Sequence, residues 1–173
     1  IQNIRIEWVS GDIQVRTAAD DSQKIRFHES GNAGEDLRMV WEQKGNTLII
    51  KYSKPKLNIG FVSTPNETLQ VDIPADWECG SFQLTTVSAE VSIQGLQADK
   101  IALEGVSAAC TVECNAKEVS INTVSGEVEF FGEVQELACE SVSGECSIRL
   151  LGTTVQKINL ESVSGDMTVI LPD

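Results

Sequence analysis

Five carboxylates recur at one offset in a repeated turn: Asp12, Glu90, Glu127, Glu145 and Asp166. Each stands three positions after the valine of a Val-Ser-Gly/Ala-X segment. A second acidic column, Glu7, Glu104, Glu140 and Glu161, stands two positions before that valine. If the copies stack, neighbouring turn acids lie about 5 Å apart. Paired carboxylates at such a distance can cleave glycosidic bonds, and a ladder of oxygens can hold Ca2+. They also have a plainer use, as solvated turn residues that accept nearby backbone N–H groups. Two exposed like charges at that spacing repel by under ~1 kcal/mol in water, so a fold tolerates them. We adopt the plainer use and keep the turn acids as a candidate partner surface.

Other reactive residue types are present without the company that catalysis needs. The turn serines, Ser88, Ser107, Ser125, Ser143 and Ser164, form a column of hydroxyls. A nucleophilic serine requires a base beside it, and the single histidine, His28, lies far from the repeats. The hydroxyls are therefore expected to satisfy the turn or the adjacent copy. Of the cysteines, Cys79, Cys110, Cys139 and Cys146 fall where other copies hold aliphatic residues, while Cys114 is less clearly placed. Buried thiols acting as small apolar groups are expected. Cys110 and Cys146 share a column two rungs apart, about 9.6 Å, too far for a disulfide. Cys110 and Cys114 on one strand are about 13 Å apart, a poor fit to zinc. No catalytic residue, cofactor or metal site is implied; Ca2+ is the one ion the acidic ladder would suit.

The elements that carry these residues repeat. The turn valines are Val87, Val106, Val124, Val142 and Val163, at spacings of 19, 18, 18 and 21, with a lone copy at Val9. The last spacing holds a small loop at Gly152-Thr153-Thr154. Five positions before the valine stand Phe82, Ile101, Val119, Leu137 and Ile158, and three before it Leu84, Leu103, Ile121, Cys139 and Leu160. Four after it stand Val91, Cys110, Val128, Cys146 and Met167, and six after it Ile93, Val112, Phe130, Ile148 and Val169. Each unit reads as two short strands of period two joined by the turn. Such a pair cannot bury its apolar face alone, but stacked copies can. A shared offset in every copy is what a stack of coils requires, and a sandwich has no need of it. The expected fold is all-β: a right-handed single-stranded β-solenoid of about 18 residues per rung. Each rung places about five apolar side chains inside.

Residues 18–73 break the pattern. Lys24–Glu29, Leu37–Gln43, Thr47–Ser53 and Thr68–Ile73 read as strands, with Lys44-Gly45-Asn46 as a hairpin turn. An antiparallel β excursion near the N-terminus is expected there. The loop 53–67 is apolar around Ile59 and Phe61 and lies near Lys51, Lys54 and Lys56; it is the second candidate partner surface. Trp8, Trp41 and Trp77 are assigned to the core or its ends. The chain is expected to form a single domain over 1–173: a first rung at 1–17, antiparallel strands and a loop at 18–78, and the main stack at 79–173.

The turns Val9-Ser10-Gly11-Asp12, Val124-Ser125-Gly126-Glu127, Val142-Ser143-Gly144-Glu145 and Val163-Ser164-Gly165-Asp166, with the lead-in strand Leu69-Gln70-Val71-Asp72-Ile73-Pro74, resemble a bacterial family labelled "putative adhesin", a domain of unknown function on a β-solenoid. Ala89 and Ala108 replace the turn glycine in two copies, and Ala109 replaces an acid. The resemblance implies a setting at the cell envelope or its stress responses and no catalytic residues.

Charge narrows the partners. Lys and Arg number 13 against 26 acids, a net charge of −13. That excludes phosphate-backbone binding to nucleic acid and docking on anionic lipid. No apolar run approaches the ~20 residues of a membrane helix, so direct insertion is not expected. The chain begins at Ile1 already in a strand pattern, so a targeting or anchoring segment is expected upstream. An odd number of core cysteines instead suits a reduced setting, such as the cytoplasmic face. The reading is a non-enzymatic binding or structural module of the bacterial envelope, meeting a protein or glycan at the cell surface. A carbohydrate-active β-helix enzyme, a cation-binding scaffold and self-association through the open end of the stack are the alternatives.

Overall fold

The computed structural model describes residues 1–18, 23–31, 38–52 and 67–172. Among them there is no helix, so none long and apolar enough to cross a membrane. The described residues form eleven strands that join one hydrogen-bonded sheet. Four form the early part of the chain after β1 (Asn3–Thr17): β2 (Arg26–Gly31), β3 (Val40–Lys44), β4 (Thr47–Lys51) and β5 (Glu67–Ile73). The rest are β6 (Cys79–Ser107), β7 (Cys110–Ser125), β8 (Val128–Ser143), β9 (Cys146–Leu150), β10 (Lys157–Ser164) and β11 (Met167–Ile170).

The register makes this sheet solenoid-like. Cys110 of β7 stands opposite Val128 of β8, Val119 opposite Leu137 and Ile121 opposite Cys139, all in parallel and all 18 positions apart. The first half of β8 then pairs with β9 and its second half with β10, again in parallel. One strand can serve two successive partners on the same side only if it bends through a corner and the next coil follows it. The irregular spacings have local causes. Between β6 and β7 the offset drops from 19 at Val91–Cys110 to 18 at Leu96–Cys114, because Gly95 bulges out of the ladder at φ +74°. Cys114 thus occupies the buried slot of Leu96. The longer loop before β10 is pinned at both ends, where Leu151 N–H donates to the Gly132 carbonyl and Gln156 N–H to that of Gln135.

The inward columns are those of the repeat. Phe82, Leu84, Val91, Ile93, Ile101, Leu103, Val112, Val119, Ile121, Val128, Phe130, Leu137 and Ile148 are all buried in one apolar cluster. Each contributes roughly 1.5–3 kcal/mol of transfer free energy before chain entropy is counted.

The turn valines face outward: Val87, Val106, Val124 and Val142 are each about half exposed and Val163 is 81% exposed. Strand alternation explains this. Positions five and three before the valine face inward, so the position just before it does too, and the valine faces out. Thr86, Thr123 and Ser141 are buried at that inward position.

One expectation needs correction: the region between first rung and main stack is only half antiparallel. β3 pairs antiparallel with β4 across the Gly45-Asn46 turn, where Gly45 takes φ +59°, and β2 pairs antiparallel with β5. β4 and β5 themselves run parallel to β1, with Leu48 opposite Ile4 and Leu69 opposite Ile13. They form a coil stacked on β1, because Leu48, Ile50, Leu69, Val71 and Ile73 alternate as the inward columns do. On its other edge β1 pairs with β6, Ile4 opposite Phe82 and Ile13 opposite Val91.

Candidate binding surface

The turn acids line one corner of the stack. Asp12 stands opposite Glu90, and Thr68 Oγ1 donates to Asp12 Oδ2 at 3.3 Å. After the gap at Ala109, the column resumes with Glu127, Glu145 and Asp166, whose carbonyls accept from the N–H groups of Cys110, Val128 and Cys146 at 2.8–2.9 Å. Those bonds fix the turn backbone and leave the carboxylates of Glu127, Glu145 and Asp166 exposed. Among the described residues, no three His, Cys, Asp or Glu side chains converge in a group that could hold a metal ion.

The glycines of this corner allow the coils to touch. A Cβ on Gly126, which takes φ +138°, would fall 2.1 Å from the Ala108 carbonyl oxygen. Ala108 fits without left-handed backbone because its methyl points inward into space left by Gly105, whose own Cβ would sit 2.9 Å from it. Ala89 is accommodated differently, its N–H donating to Thr86 Oγ1 at 3.2 Å.

The turn serines are consumed by the stack. Ser125, Ser143 and Ser164 donate Oγ–H to the carbonyls of Val106, Val124 and Val142 in the preceding coil at 3.3–3.4 Å, and Ser88 reaches Val9 at 3.5 Å. Ser107 and Ser125 lie 3.3 Å apart, oxygen to oxygen. His28 is exposed on β2 opposite Gln70. All five cysteines are buried. Burial pushes the thiols of Cys79 and Cys110 up to about 11 and that of Cys114 to about 12. Trp8 is buried edge-on against Tyr52; Trp41 is exposed on β3 at one end of the stack, against Phe27. Trp77 is half-buried and donates Nε1–H to the Ile1 carbonyl. Ile59 and Phe61 lie outside the described residues.

The feature that the sequence reading missed is the outward valine column. Val87, Val106, Val124, Val142 and Val163 follow one another up the stack, and at the rung spacing of about 4.8 Å they span about 19 Å. Beside them runs the second acidic column, in which Glu104, Asn122, Glu140 and Glu161 are successive ladder partners. The two columns wall an open groove of about 630 Å³. Ser141, between the two columns, turns its Oγ inward, where it is buried without a hydrogen-bond partner among the described residues. A second groove beside Trp8, Tyr52 and Val87 shares Thr85, Thr86 and Glu104 with it and carries the line on to Glu7. The parity of the alternation was the signal available: two inward positions before the valine fix the valine as outward.

An all-β, solenoid-like stack with an apolar and acidic ladder along its outer wall defines a repeat protein of the all-β class. The chain belongs to the Toastrack DUF4097 family, whose model matches residues 1–171. A crystal structure described as a "putative cell adhesion protein" from Clostridium sporogenes is similar over 98% of this chain and 92% of that one, with TM-score 0.57 at 11% identity. A "putative adhesin" from Bacteroides fragilis aligns with the same coverage, TM-score 0.44 and 14% identity. No curated protein matches the chain.

Proposed function

We propose that this chain is a non-enzymatic binding module of the bacterial cell envelope, and that it holds a cationic, partly apolar segment of a protein partner along the valine–glutamate groove. The observation that carries the proposal is the outward valine column beside Glu104, Glu140 and Glu161. Contiguous exposed apolar surface costs solubility unless it is used, and an acidic rim favours a basic partner while repelling copies of a chain that itself carries −13. The adhesion-related description of the Clostridium sporogenes relative supports a surface setting. The turn acids Asp12, Glu90, Glu127, Glu145 and Asp166 extend the same electrostatic field without touching the segment.

The finer form of the fold belongs to this reading: one domain over 1–173, coiled right-handed at about 18 residues per rung. The 18-position register of β7 on β8 supports the rung, and the chirality of parallel crossovers supports the hand.

The test uses a fluorescein-labelled peptide of alternating lysine and valine, with a glutamate–valine peptide as control, followed by fluorescence anisotropy. Saturable binding of the first alone is expected, weakened about tenfold by Val124→Ser with Val142→Ser and reduced by salt. Equal affinity for the variant, or no binding, would refute the groove. Turnover of an acidic polysaccharide, lost on changing one carboxylate, would favour the enzymatic alternative instead.

A further inference from the structure

Cys139 on β8 and Cys146 on β9 face each other through the core, seven positions apart around the turn Val142-Ser143-Gly144-Glu145. Their Sγ atoms are 2.8 Å apart. Both residues are sealed from solvent, at 0% and 1% exposure. A disulfide is about 2.05 Å long, so a movement of about 0.8 Å would bring the sulfurs to bonding distance. The same two slots are filled in the other described coils by Ile6 and Ile13, Ile50 and Leu69, Leu84 and Val91, Leu103 and Cys110, Ile121 and Val128, and Leu160 and Met167. Cysteine occupies both slots in this coil alone. The binding groove lies on the outside of the wall and makes no use of the pair.

We propose that Cys139 and Cys146 form an intramolecular disulfide that staples the two walls of this coil, made by exchange with an external disulfide R–S–S–R of an oxidising compartment. The Cys146 thiolate attacks one sulfur of R–S–S–R. That bond breaks, one RS− leaves and takes up a proton, and Cys146 is left in a mixed disulfide. Cys139 then gives up its proton, attacks the Cys146 sulfur and expels the second RS−, which is protonated in turn. Two protein thiols are oxidised and one external disulfide is reduced to two thiols.

Either thiol can donate to the other across this contact. With Cys139 as the donor, the bond favours the Cys146 thiolate and lowers its pKa, while the same bond and burial raise that of Cys139, which sets the order of attack. Cys79, Cys110 and Cys114, raised by burial, stay protonated. Access comes through the neighbouring coil. Its inward residues Ile158, Leu160, Met167 and Val169 are only partly buried, so β10 and β11 open more easily than the coils beneath them.

The test refolds the full chain from urea in a mixture of reduced and oxidised glutathione, and exposes the folded chain to the same mixture. Thiols are then titrated in denaturant, and fragments are mapped without reduction. The expected result is a fall from five free thiols to three, a link between Cys139 and Cys146, and a melting temperature about 5–10 °C above that of the reduced chain. Cys110→Val should keep the link; Cys139→Ala with Cys146→Val should lose it. Five free thiols after refolding, a link between any other pair, or a link with no gain in melting temperature would overturn the proposal.

Discussion

Two valines four residues apart give a direct test of which side of the wall is the core. Val128 is fully buried between its ladder partners Cys110 and Cys146, whereas Val124 is 47% exposed in the groove. Val128→Asp gives up about 1.5–3 kcal/mol of apolar burial. It also places a carboxyl among aliphatic groups, where desolvation raises its pKa by about 3–4. At about 1.4 kcal/mol for each pKa step, holding it ionised at neutral pH costs about 4–5 kcal/mol more. The total, about 6–8 kcal/mol, matches or exceeds the stability of many domains, about 5–15 kcal/mol. Val124→Asp sacrifices only the buried part of one valine and leaves its charge in water, so about 1 kcal/mol is expected. Urea titration followed by far-ultraviolet circular dichroism measures both. The acid limb adds a sign. A carboxyl with a raised folded pKa is harmless below its unfolded value near 3.9 and destabilises as pH rises through the folded value. The gap between Val128→Asp and the parent chain should therefore narrow in acid. A Val128→Asp midpoint like that of the parent, or an unfolded Val124→Asp, would refute the assignment of the columns.

The remaining predictions concern the corners and the thiols. Gly126→Ala places a methyl against the Ala108 carbonyl at positive φ and should cost about 2–4 kcal/mol, whereas Gly45→Ala meets nothing within 4 Å and should cost about 1 kcal/mol; chemical denaturation of both separates contact from conformation. Glu127→Gln should leave the urea midpoint within about 0.5 kcal/mol of the parent, and a large loss would contradict an exposed turn acid. The thiols of Cys79, Cys110 and Cys114, raised from 9.0 to between about 11 and 12, contribute stability that is intact below pH 9 and is lost as pH climbs towards 12. Urea midpoints on either side of pH 9 would show the decline, and a flat profile would contradict the burial.

The stack was legible because its signal is redundant. Ile101, Val119 and Leu137, or Val112, Phe130 and Ile148, state the same inward column again and again, and the register confirms each alignment. The valine column was passed over as a surface because valine is apolar and repeated, and both traits suggest a core. Only its parity with Leu103 or Ile121 places it outside, since a strand alternates faces whatever its residues are. The coil of β4 and β5 was hidden for another reason. Its two halves are separated by residues 52–66, and nothing local says that Leu48 and Leu69 meet Ile4 and Ile13 of the same earlier strand. The Cys139–Cys146 contact crosses from one column to another around a corner, so reading down single columns passes it by.

The position of β1 has a consequence for how the chain assembles. Ile4 finds Leu48 on one edge and Phe82 on the other, 44 and 78 positions away. A strand synthesised early must wait for both neighbours, and parallel pairings of such separation form slowly. Until then its two edges stand open to strands of other molecules. Deleting residues 1–17 would not trim an end: it would part β4 and β5 from β6, leaving two stacks with an unpaired face on each.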